Sequence, residues 1–78
     1  MDILNKINEL VLMGYTVSFK PYPFDLVCIK MTYDNYYHAN HMLTIPCKVK
    51  AEYILLILDE LRFKIEKMIY EEKMNDTD

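Results

Sequence analysis

The side chains here with most chemistry to offer are two cysteines and two histidines: Cys28, His38, His41 and Cys47. Two thiolates and two imidazoles can hold a tetrahedral zinc when their spacing lets them converge. Neither cysteine sits in a C-x2-C knuckle, and residues three apart on a strand, as His38 and His41 are, point to opposite faces. The expected arrangement is a surface His38, a half-buried His41 hydrogen-bonded nearby, and two packing thiols. A Cys28–His41 pair could activate a thiolate if two strands set them side by side, but nothing supplies an oxyanion hole. Asp59, Glu60 and Glu66 read as solvated charges, with Glu60–Lys64 an i,i+4 ion pair of about 0.2–0.5 kcal/mol. A chain with one glycine has no Gly-rich phosphate loop. No catalytic, cofactor-binding or metal-ligating residue is assigned, and no enzyme is expected.

The chain that must position these groups has 78 residues, 53% of them apolar. That is one domain near the lower limit for independent folding. Its core is adequate but marginal without a partner or a staple. A net charge of −3 and a pI near 5.3 argue against a surface built to hold phosphate backbones. Met1 runs straight into Asp2 with no basic n-region, so no secretory signal is expected. The longest apolar run, Tyr53 to Leu58, falls far short of a bilayer span. The expected setting is a reducing cytoplasm with both thiols free. Abundant Ile, Lys, Asn and Tyr match an AT-rich coding sequence, as in phages, mobile elements and low-GC bacteria.

Asp2 is a candidate N-cap for a first helix over Asp2 to Met13. Ile3, Leu4, Ile7, Leu10 and Val11 share one face, and Asn5, Lys6, Asn8 and Glu9 the other. Gly14 stands where a left-handed cap is wanted. Tyr15 to Lys20 alternates as a half-buried strand, and Pro21-Tyr22-Pro23 is expected to break it. Leu26 to Tyr33 is a second strand. A third starts at Tyr36 or Tyr37 and runs to Ile45, closed by Pro46. A two-residue loop would put Val27, Ile29 and Met31 on the face of Met42, Asn40 and His38. A three-residue loop, Asp34 to Tyr36, sets Val27, Ile29, Met31 and Tyr33 beside Leu43, His41, Ala39 and Tyr37. The second keeps Leu43 and Ala39 inside, although it turns His41 inward, and is the expected register.

Lys48 to Lys73 contains neither Gly nor Pro and reads as one long helix. Ala51, Ile54, Leu58, Leu61, Ile65 and Met68 draw one apolar stripe along it, while Leu56, Phe63 and Tyr70 draw a second on nearly the opposite side. The expected fold is therefore α+β: helix, three-stranded antiparallel meander, long helix (αβββα), with both helices on one face of the sheet. Residues 1–74 form the domain and residues 75–78 a frayed acidic tail. About 25 helical residues reach roughly 37 Å and the first helix only about 18 Å, whereas strands of about seven residues span ~23 Å. The end of the long helix should overhang its cover. Leu56, Phe63, Ile65, Met68, Ile69 and Tyr70 are the expected seam of a two-fold homodimer in which the long helices cross or run antiparallel.

Lys48 and Lys50 ahead of Ala51 resemble the basic motif that opens the last helix of the double-stranded-RNA-binding domain and straddles phosphates. Gly14-Tyr15 after the first helix, with Thr44-Ile45-Pro46 ending a strand before the second, resembles the HicA-type RNA-cleaving toxins. No Gly-rich loop precedes Lys48 and the second strand has no Gly-Ser-His, so the likeness is one of topology. It implies an RNA-binding or RNA-cleaving module as the alternative function. The leading expectation is a non-enzymatic interaction protein. It would be a homodimer whose aromatic residues Tyr22, Phe24, Tyr36 and Tyr37, or whose acidic helix face, meet a host protein, as a phage- or mobile-element-encoded modulator or inhibitor would. Nucleic acid, membrane, metal and cofactor have no part in that reading.

Overall fold

The computed structural model describes residues 3–44 and 51–75. It is an α+β fold with the order α1 (Ile3–Leu12), β1 (Tyr15–Tyr22), β2 (Leu26–Tyr33), β3 (Tyr37–Thr44) and α2 (Ala51–Asn75). The Asp2 cap, the end of the third strand at Ile45-Pro46, Cys47 and the start of the long helix at Lys48 lie outside the described residues.

α1 ends because Gly14 leaves the helix with φ 99°, a left-handed conformation that carries no Cβ penalty for glycine. Its N–H donates to the Val11 carbonyl at 3.0 Å. The chain then enters β1 at once. A Cβ on Gly14 would come within 3.0 Å of the Tyr33 ring, so the turn and the close approach of Tyr33 both require glycine.

β1 does not stop at Lys20. It continues through Pro21, opposite Val27, to Tyr22, opposite Leu26. The sheet order is β1-β2-β3, so β1 is an edge strand, where a missing N–H is tolerated. Both connections are three residues long, Pro23 to Asp25 and Asp34 to Tyr36. Each carries two consecutive left-handed residues: Phe24 and Asp25, then Asp34 and Asn35. Asp and Asn adopt that conformation readily; a bulky Phe does so rarely.

The register of β2 with β3 is the one expected from the three-residue loop: Val27, Ile29, Met31 and Tyr33 face Leu43, His41, Ala39 and Tyr37. Alternation puts Ile29, Met31, Ala39 and Leu43 on a single face of the sheet. They meet Leu10 of α1 and Ile57, Leu58, Leu61 and Ile65 of α2 in one core. Each fully buried aliphatic side chain contributes about 1.5–3 kcal/mol, and Leu10, Leu58, Leu61 and Ile65 are among those essentially without solvent contact. Lys6 Nζ and Asp59 Oδ1, 2.6 Å apart, link α1 to α2 beside that core.

Candidate interaction surfaces

α2 has two apolar faces because its sequence repeats Leu56, Phe63 and Tyr70 at seven-residue intervals on the side opposite Leu58 and Ile65. The core-facing side is consumed by the sheet. Leu56, Phe63 and Tyr70 remain 61%, 68% and 63% exposed. Leu56 and Phe63 border a shallow depression on the helix surface with Asp59, Glu60 and Lys64.

The other residues expected in the seam separate from these three. Ile65 is fully buried in the monomer's own core and Ile69 is half-buried against it, so Ile65 is unavailable to a partner and a charge there would unfold the chain. Met68 is partly exposed on the flank of α2. The overhang is also shorter than strand length suggests, because tyrosines extend the reach of the sheet. Tyr15 and Tyr33 pack with their rings tilted by 44° and centroids 4.8 Å apart, and Tyr37 follows at 6.4 Å from Tyr33. The Tyr37 hydroxyl donates to Glu72 Oε2 at 2.5 Å, near the end of α2.

The charges on α2 are arranged around this packing. The i,i+4 pair that forms is Arg62–Glu66, at 2.9 Å, in place of the expected Glu60–Lys64. Burial, reinforced by nearby Glu66, raises the Tyr15 hydroxyl above its ordinary pKa, and Arg62 opposes that rise. The hydrogen bond to Glu72, with a smaller contribution from desolvation, raises Tyr37 to about 12.

The four aromatic residues expected to form one partner surface are divided between the two ends of the sheet. Tyr22 ends β1 and Phe24 lies in the β1–β2 loop, while Tyr36 lies in the β2–β3 loop and Tyr37 begins β3. The length of β2 keeps them about 24 Å apart. Phe24 is 91% exposed; Tyr37 points inward and is held by Glu72 and by edge-on packing with Tyr36 at 4.9 Å. They make no single patch.

His38 lies on the outward face of the sheet, exposed, and His41 on the inward face, half-buried. Cys28 pairs with Met42 on the outward face, away from His41. Among the described residues no three His, Cys, Asp or Glu side chains gather closely enough to hold a metal ion, and no helix is long and apolar enough to cross a membrane. Comparison with protein-family models, curated protein sequences and solved structures gives no match.

Proposed function

We propose that this chain is a non-enzymatic interaction module that assembles as a homodimer through the outward face of α2. The observation that carries the reading is the regular exposed series Leu56, Phe63 and Tyr70, opposite a core face already filled within the monomer. Isolated exposed apolar residues need no cover; three in register along one helix, about 10.5 Å apart, form a recurrent apolar series of the kind that marks an interface.

A two-fold axis at Phe63 suits the series, since Leu56 and Tyr70 lie seven residues to either side. With the helices antiparallel, Phe63 meets its own copy and Leu56 of one chain covers Tyr70 of the other. Glu60 of each chain then comes beside Lys67 of the other. Asp59 and Glu66 on the opposite flank are already neutralised by Lys6 and Arg62 of their own chain. A parallel pair would instead bring Asp59 against Glu60 across the seam, which costs stability. The size and composition of the chain fit a modulator of a host protein carried by a phage or mobile element.

Sedimentation over a concentration series tests the reading. The wild type should reach a two-chain mass and Phe63→Glu should stay a single folded chain. A wild type that remains single-chain throughout, or a Phe63→Glu variant that still dimerises, defeats it.

A further inference from the structure

The outward face of the sheet is a separate surface with a different chemistry. Strand pairing arranges it in rungs: Tyr22–Leu26–Thr44, Lys20–Cys28–Met42, Ser18–Lys30–Asn40 and Thr16–Thr32–His38. None of these residues is acidic, in a chain with 12 Asp and Glu. Lys20, Lys30 and His38 each move one strand and one rung from the last. They therefore lie on a straight diagonal with about 7–8 Å between neighbours. All three are exposed, as are Thr16, Ser18, Asn40 and Thr44 around them.

We infer that this face binds single-stranded nucleic acid, with the sugar–phosphate backbone laid along the Lys20–Lys30–His38 diagonal. Phosphate oxygens accept hydrogen bonds from lysine and equally from Ser, Thr and Asn; Thr16, Ser18 and Thr32 line one side of the diagonal, and Asn40 adjoins the other, beside Cys28 and Met42. An acidic peptide would engage the two lysines and leave most of the hydroxyl donors unused. Tyr22 closes one corner, with Lys20 Nζ 5.4 Å from its ring centroid, and gives a base an aromatic plane to stack on. The three strands present a broad face, and among the described residues no helix lies on it to enter a groove. A single strand, open along its whole length, fits that face better than a duplex. Half of the acidic residues, Glu52, Asp59, Glu60, Glu66, Glu71 and Glu72, are on α2, across the sheet, while Asp25 and Asp34 stand in the loops at its two ends. The inference uses no residue of the helix seam and stands apart from it.

Fluorescence anisotropy on the full chain tests it, using a labelled oligouridylate, a duplex of equal length and polyglutamate. The single strand should bind at low salt and weaken as salt rises, with a log–log slope of about −1.4 for the two phosphates that Lys20 and Lys30 neutralise. Lys20→Gln combined with Lys30→Gln should lose about tenfold or more in affinity with an unchanged circular dichroism spectrum, while Phe63→Glu should bind like the wild type. The inference is overturned by no binding at the lowest salt or by unaltered binding in the double variant. Tighter binding of the duplex also overturns it. So does polyglutamate binding as tightly as the oligonucleotide, which would assign the face to an acidic protein.

Discussion

The two sides of α2 are built from similar residues and meet opposite fates. Leu58, Leu61 and Ile65 lie against the sheet with essentially no solvent contact, whereas Leu56, Phe63 and Tyr70, a half-turn away, keep about two thirds of their surface in water. Side-chain chemistry does not separate the two sets. What separates them is that one side lies on β2 and β3 and against α1, and the other has no cover among the described residues. Burial is a property of what the rest of the chain can reach, and a 78-residue chain can sheath only one side of a 25-residue helix.

Four substitutions break or sharpen that contrast, and the inward side should give the largest effect. Leu58→Ala removes a fully buried side chain and should lower unfolding stability by about 2–5 kcal/mol, read as a reduced urea midpoint with little change in slope. A loss below about 1 kcal/mol would mean that the core is looser than its burial implies. Next comes Gly14→Ala, outside the helix but beneath the same tyrosines. The positive φ and the approach to Tyr33 should make it cost more than about 1 kcal/mol, and a neutral result would show that the turn can relax. On the outward side Phe63→Glu should change the stability of the isolated chain by no more than about 0.5 kcal/mol, measured well below the dimerisation concentration. A cooperative collapse there would show that Phe63 serves the fold.

The smallest effect belongs to Tyr37. Its hydrogen bond to Glu72 holds the phenol neutral, raising its pKa from 10.0 to about 12. The folded value lies above the unfolded one, so the contribution of this bond is complete below pH 10.0 and fades as the pH climbs toward 12. Titration of phenolate absorbance should show a late component that Tyr37→Phe removes. If the component lost lies in the ordinary tyrosine range, the bond to Glu72 is not formed in solution.

Much of this fold is legible in local pattern. The lone glycine marked the end of α1, and alternation identified the strands. The three-residue loop chose the register by the face on which Ala39 and Leu43 had to lie, and a single-step slip would have exposed them both. Pro21 misled, because whether proline ends a strand depends on whether that strand is an edge, and edge position is a property of the assembled sheet. Ile65 misled for a related reason. Its helical position puts it on the core stripe, and strand length alone does not reveal that tyrosines at the far end of the sheet extend the support toward Glu72. The four aromatic residues form no single surface, because likeness of type does not place side chains together and β2 separates the two pairs by its full length.

The sequence by itself determined the element order, the strand register and the presence of two apolar stripes on α2, because each follows from periodicity and turn chemistry within a few residues. Only the tertiary structure decided which stripe is covered, how far the cover extends, and that Lys20, Lys30 and His38 fall on one line across a face without carboxylates. Those outcomes depend on contacts between distant segments, and no local spacing encodes a neighbour that another strand or helix brings.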